Sequence, residues 1–171
     1  MIVFINGAFG VGKSSVAELL VNKVENSLLF DAEEVGYMLR KIYTPIDNPS
    51  DFQDLQAFRT LVVQTAEALQ NQYKRTLIIP LCLWNENYFD EIVSGLKNID
   101  NDFHHFCLIA GKETIIERLR QRKDPLEVFE WATARLDKML NNQKSSKFEK
   151  KILTENKTVE EIVKEIIGNL I

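Results

Sequence analysis

The 171-residue sequence has little of what interrupts or cross-links a chain: 7 Gly, 4 Pro and 2 Cys. So few glycines and prolines exclude collagen-like and low-complexity architectures. Two cysteines exclude a disulfide framework. Cys82 and Cys107 stand inside the apolar runs LIIPLCLW and HHFCLIA without CxxC spacing, so they read as buried apolar side chains in a reducing cytosol. An excess of positive charge is also missing. The formal net charge is −4, which argues against a nucleic-acid binder, because that role needs a basic surface. No apolar stretch approaches the roughly 20 residues that cross a bilayer. The opening MIVFING lacks the charged and long apolar regions of a signal peptide. The expectation is one cytoplasmic globular domain over residues 1–171, since a chain of this length buries about 70% of its unfolded surface without staples.

What is present is unevenly spread. Three of the seven glycines, Gly7, Gly10 and Gly12, fall within six consecutive positions. Residues 7–14 read G-A-F-G-V-G-K-S and fit G-x-x-x-x-G-K-[ST] at every fixed position. The apolar run IVFI precedes the loop and an amphipathic segment follows it, the strand-loop-helix context in which backbone N–H groups converge on phosphate oxygens. Gly7, Ala8, Phe9, Gly10, Val11, Gly12, Lys13, Ser14 and Ser15 are therefore candidates to bind ATP. Lys13 would reach the β and γ phosphates, and Ser14 would ligate Mg²⁺.

Along the rest of the chain apolar runs alternate with helical patterns. Strands are expected near 2–5, 28–30, 76–84, 103–109 and 151–153. Helices are expected over 13–25, 32–42, 51–73, 86–98, 112–122 and 125–142, with a last one opened by Thr158 and Glu161 in capping-box spacing. Pro80 weakens the third strand, and TPIDNPSD (44–51) reads as a turn-rich loop. The pattern predicts an α/β fold with a parallel sheet covered on both faces.

Other motifs choose among nucleotide proteins. The guanine-reading patterns D-x-x-G and N-K-x-D are absent, and LIIPLCLWNE offers only Glu86, beyond its end, as the acid of a mechanical ATPase. A small-molecule kinase survives both tests. Parallel sheets bind ligands at the C-terminal ends of their strands, where Asp31, Glu33 and Trp84 fall. Asp31 could join the magnesium shell or take the acceptor's proton, with Glu33 as the competing base; Asp31 also suits the N-cap of the next helix. Arg118 and Arg122, four apart on one helical face, and Arg135 on the next helix form a basic stretch within 118–147. It reads either as a lid closing over transferred phosphate or as a solvated charged face. Gln53 and Arg59 would orient an acceptor, unless Arg59 merely snorkels. His104 and His105 read as structural, and the last helix, with an acidic polar face, reads as packed on the sheet rather than lying on a membrane.

Taken together, INGAFGVGKSS, FDAEEVGYMLR, DFQ followed by FR at 58–59, NYFDEI and HHFCLIAGKETIIERLRQR resemble the tunicamycin resistance protein family of bacterial P-loop proteins. The resemblance runs from Ile2 to the last helix and departs from the family pattern at RKDPLEVFEWATARLDKML. It implies a three-layer α/β/α P-loop kinase-like fold with a five-stranded parallel sheet and a helical lid at about 118–147. It also implies ATP binding by Gly7–Ser14, a magnesium or acceptor carboxylate at Asp31, and lid arginines at Arg118, Arg122 and Arg135. The expected partners are ATP·Mg²⁺ and a small nucleoside-like or sugar-like acceptor. A second copy of the chain, as a homodimer, stays open. The alternative to phosphoryl transfer is ATP-dependent sequestration of a nucleoside antibiotic.

Overall fold

Alternation in the strands decides the layering. In β1 (Ile2–Gly7), Val3 and Ile5 join one buried cluster while Ile2 and Phe4 join another, as expected where successive side chains point to opposite faces of a sheet covered on both. The computed structural model describes residues 1–46 and 49–170. β2 (Ser27–Leu29), β3 (Thr76–Pro80), β4 (Phe103–Ile109) and β5 (Lys151–Leu153) complete a parallel sheet of order β2-β3-β1-β4-β5.

One face carries α1 (Lys13–Lys23), α5 (Lys112–Gln121), α6 (Leu126–Asn142) and α7 (Val159–Gly168), through residues such as Leu20, Ile115, Met139 and Ile166. The other carries α2 (Glu33–Tyr43), α3 (Gln56–Tyr73) and α4 (Glu86–Ile99), through Leu39, Phe58, Val62 and Ile92. The three-layer α/β/α architecture read from the sequence is therefore present. The capping box that opens α7 closes as expected: Thr158 Oγ1 accepts from Glu161 N at 3.2 Å, and Glu161 Oε2 accepts from Thr158 N at 2.7 Å. The apolar stripe of α7 is buried against the sheet. Both cysteines are free and buried. Among the described residues no helix is long and apolar enough to cross a membrane.

Two boundaries differ from expectation by more than two residues. β3 stops at Pro80 rather than 84. Leu77 N and Leu81 N bond to β1, so the odd positions of β3 face that neighbour, while Pro80 lies on the β2 side beyond the last paired residue, Leu29. Its missing N–H therefore costs no ladder bond. The helix expected from 51 breaks into a 3-10 turn (Phe52–Asp54), capped by Asp51, before α3 begins. The turn-rich segment 44–51 includes residues 47–48, which lie outside the described residues.

Candidate functional site

β1 lies between β3 and β4, so its C-terminal end opens into a crevice between helices that run to opposite faces. The phosphate loop lies there. At Gly10 the backbone is left-handed, with φ 75°, a conformation glycine adopts without strain. At Gly7 the constraint is space, because a Cβ would sit 2.6 Å from Leu108 O. Asn6, buried at the end of β1, locks the loop's entry. Its Oδ1 accepts from Gly7 N at 2.7 Å and Leu83 N at 2.9 Å, and its Nδ2 donates to Leu83 O at 2.9 Å. No side chain caps α1, which leaves its first-turn N–H groups facing the loop as an anion cradle. Lys13 is buried and donates to Ala8 O at 3.0 Å.

A cavity of about 530 Å³ extends from this loop. Ser14, Ser15, Asp31 and Glu33 line it, as do Arg118, Thr154, Lys157, Val159 and Ile162. Arg118 is tied down: Nη1 donates to Val11 O at 3.2 Å and Thr154 Oγ1 at 2.9 Å, and Nη2 donates to Thr154 O at 3.0 Å. Lys157 pairs with Glu165 at 2.5 Å. Asp31 Oδ1 accepts from Glu33 N at 3.0 Å, so it supports the start of α2 while also lining the cavity. Burial lifts the Glu33 carboxyl above its ordinary range; Lys13 opposes this and Asp31 adds to it.

A second cavity, about 620 Å³, adjoins the first through Phe9, Glu33 and Arg122, which line both. Its aromatic lining comes from Phe9 and Trp131, with ring centroids 5.0 Å apart, and from Tyr37 and Phe52, 6.1 Å apart. Asp51 and Gln53 also line it. Gln53 Nε2 donates to Cys82 O at 2.7 Å, which fixes its side chain.

Not every sequence candidate faces a cavity. Arg59 neither snorkels nor reaches the second cavity's lining: it is buried, pairs with Glu91 at 2.7 Å, and donates to Gln53 O and Asp54 O at 2.7 and 3.2 Å. It shapes the turn that carries Gln53. Trp84 lines neither cavity and lies with Lys138 over its ring at 4.4 Å. Arg135 lines neither cavity; it is stacked 4.3 Å from the Trp131 ring and donates to Ser50 Oγ at 3.3 Å. Arg122 pairs with Asp124 at 3.2 Å. His104 bonds to Asp102 at 2.9 Å, and the His105 ring packs among Phe4 and Phe89. No cluster of three metal-ligating acidic, His or Cys side chains occurs among the described residues.

Sequence reasoning passed over Asn6, Thr154, Lys157, Tyr37, Asp51 and Trp131. Asn6 alone left a signal, a polar residue closing an apolar strand. The others meet the site through chain crossings that no local pattern encodes.

No protein-family model matches the chain, and neither does any curated protein. Solved structures do. The tunicamycin resistance protein of Deinococcus radiodurans is 28% identical with a TM-score of 0.81, covering 99% of this chain and 94% of its own. A gluconokinase from Sinorhizobium meliloti (15% identity, TM-score 0.67, 98% and 90% covered) and a shikimate kinase from Bacteroides thetaiotaomicron (12%, 0.66, 99% and 98%) share the fold. The chain thus has the five-stranded parallel fold of P-loop kinases, and over nearly its whole length it is similar to a tunicamycin resistance protein.

Proposed function

We propose that this protein is a cytoplasmic phosphotransferase that moves a phosphoryl group from ATP to a hydroxyl of a small molecule. The observation that carries this reading is the pair of adjoining cavities. One contains the phosphate loop, the other is walled by aromatic and polar side chains, and Glu33 and Arg122 line both. A donor and an acceptor bound one in each would meet at a carboxylate and a guanidinium.

The loop fits a nucleotide triphosphate on its own geometry: an uncapped helix start, a left-handed Gly10, and a buried lysine whose present partner is a loop carbonyl. When bound, ATP would supply the transferable group, and Mg²⁺ would neutralise charge on its oxygens. Lys13 would exchange its bond to Ala8 O for phosphate oxygens, and the exposed Ser14 hydroxyl, with Asp31 lining the same cavity, would hold the metal. Val159 and Ile162 would face the nucleotide's base, with Arg118 held beside them by Thr154. Glu33 would take the proton that the acceptor hydroxyl releases. A carboxylate pushed up by burial suits that task better than one of ordinary acidity, and Asp31 remains the competing base. Arg122, which lies in the turn between α5 and α6, would leave Asp124 for the charge developing on the transferred group. Arg135 would act through Trp131 and Ser50 on the acceptor side.

Similarity to a tunicamycin resistance protein favours a second reading, nucleotide-gated sequestration of a nucleoside antibiotic without chemistry. Incubation with γ-labelled ATP and a panel of nucleosides, sugars and cell-extract metabolites separates the two. Label on an acceptor with the native protein, and none with Lys13→Ala, is the expected result. An acceptor bound in the presence of ATP but never labelled would establish sequestration instead.

A further inference from the structure

One wall of the first cavity comes from a turn that α5 holds at two points. Thr154 and Lys157, in the turn between β5 and α7, line that cavity. Arg118 reaches from α5 to Thr154, and Glu155 reaches back: its Oε1 accepts from Gly111 N at 2.6 Å and from Thr114 Oγ1 at 2.9 Å. Gly111, Thr114 and Arg118 are three and four residues apart, so they share one face of the helix. The two ties run in opposite directions, a base from helix to turn and an acid from turn to helix. Glu155, Gly111 and Thr114 do not themselves line the cavity.

The local sequence explains why the acid is needed. The first N–H groups of a helix have no partner within it, and Gly111, the N-cap of α5, has no side chain to offer them. Glu155 supplies the acceptor from 44 residues away, and a carboxylate is the favoured group at a helix N-terminus. The hydrogen bonds from Gly111 and Thr114, with a smaller effect from Arg118, hold its carboxyl below the ordinary range. The carboxylate in turn explains the glycine. At φ −66° and ψ 157° the backbone of Gly111 suits any residue, but a Cβ there would lie 2.6 Å from Glu155 Oε1 and 3.7 Å from Glu155 Cδ. Apart from its own helix and chain neighbours it would meet nothing else within 4 Å among the described residues. Glycine at 111 keeps the space that Glu155 occupies.

We infer that Glu155 is a positioning residue of the nucleotide site: its carboxylate holds the turn between β5 and α7 against the first turn of α5, and so fixes the wall formed by Thr154 and Lys157 before nucleotide arrives. A wall fixed in advance spares the ligand the cost of ordering it. This rests on reading the first cavity as the nucleotide site, and it adds a residue that acts on that site without lining it.

Titration calorimetry of the full chain with a non-hydrolysable ATP analogue and Mg²⁺ tests it. Glu155→Ala, which removes the acceptor, and Gly111→Ala, which displaces it, should each weaken binding about tenfold. Combined, they should cost no more than either alone, because both break the same tie. Glu155→Gln keeps an oxygen that can accept from Gly111 N and Thr114 Oγ1, so its affinity should stay within about threefold of native. Asn85→Ala controls for stability alone. It removes the cap that Asn85 Oδ1 gives Asn87 N at 3.0 Å, at the start of α4, which lines neither the first nor the second cavity. That variant should melt about 2–4 °C lower with unchanged affinity. Native affinity in a folded Glu155→Ala or Gly111→Ala protein, losses that multiply in the double variant, a Glu155→Gln protein as weak as Glu155→Ala, or an equal loss in Asn85→Ala would each overturn the inference. Binding lost in Lys13→Ala but kept in Glu155→Ala removes only the role of Glu155, whereas no binding by the native protein removes the nucleotide site and this role with it.

Discussion

Arg118 grips Thr154 twice, Nη1 on Oγ1 at 2.9 Å and Nη2 on the backbone O at 3.0 Å, while the same Nη1 reaches Val11 O in the phosphate loop at 3.2 Å. One guanidinium therefore joins the loop to the turn between β5 and α7. Lysine has a single ammonium and cannot reproduce the fork. Arg118→Lys should weaken ATP-analogue binding about tenfold and lower the melting temperature by about 2–4 °C, the shift expected for about 1 kcal/mol in a chain of this size. Calorimetry and thermal unfolding read the two effects separately.

Lys13 is buried against its own loop, and among the described residues its hydrogen-bond partner is Ala8 O. Its removal takes away a charge-assisted contact to phosphate, so Lys13→Ala should reduce nucleotide affinity on the order of 100-fold. The melting temperature without nucleotide should barely move. Unchanged affinity by titration calorimetry would dismiss the nucleotide site.

Gly36 sits in α2 with the Phe52 ring so close that a Cβ would fall 2.6 Å from Phe52 Cγ. Gly36→Ala must displace the Phe52 ring, which lines the second cavity. The expected outcome is a several-fold rise in KM for the acceptor, a stability loss of about 1–3 kcal/mol from overpacking, and an unaltered affinity for ATP.

Burial raises the Glu33 carboxyl, and the sign of its effect on stability follows. Protonated in both states at low pH, the group costs nothing there; as pH rises from its unfolded value through the raised folded one, the folded state pays for a poorly solvated charge. Glu33→Gln should therefore melt above the native protein at pH 7 and equal it at strongly acid pH. If Glu33 is the base, the same variant loses about 100-fold or more in kcat, and the native acid limb of kcat lies above the ordinary carboxylate range. An acid limb that persists in Glu33→Gln and disappears in Asp31→Asn would move the role to Asp31.

His105 is held down to about 4 by burial, with Lys97 and Lys150 adding to the effect, and its ring lies 5.0 Å from that of Phe89. A depressed histidine keeps its stability above the unfolded value of 6.5 and loses it as pH falls towards about 4, because the unfolded chain takes up the proton first. The loss is about 3 kcal/mol at most. His105→Phe, which suits the aromatic cluster, should flatten the stability profile across that window, as chemical denaturation at stepped pH would show.

The parts legible in the sequence were those whose cause is local. The phosphate loop could be read because its glycines, lysine and serine are contiguous and its strand and helix adjoin it. The capping box of α7 could be read because Thr158 and Glu161 are three apart, and the layering because apolar runs and helical periodicity alternate. The arginines were not legible in the same way. Each had the right charge, yet Arg118 became a tie to Thr154, Arg135 a partner of Trp131 and Ser50, and Arg59 a brace for Gln53. An arginine's role depends on which oxygen meets its fork, and those partners lie up to 107 residues away.

By itself the sequence determined that a glycine-rich strand-loop-helix would form and that strands would be covered on both faces, since backbone conformation and hydrophobic period are properties of neighbouring residues. Only the tertiary structure decided what adjoins that loop. The second cavity is assembled from the loop, α2, the turn at Asp51–Gln53 and α6, segments that lie far apart along the chain. Selectivity for a ligand arises from atoms brought together across the chain and denied water, a condition that no stretch of sequence contains.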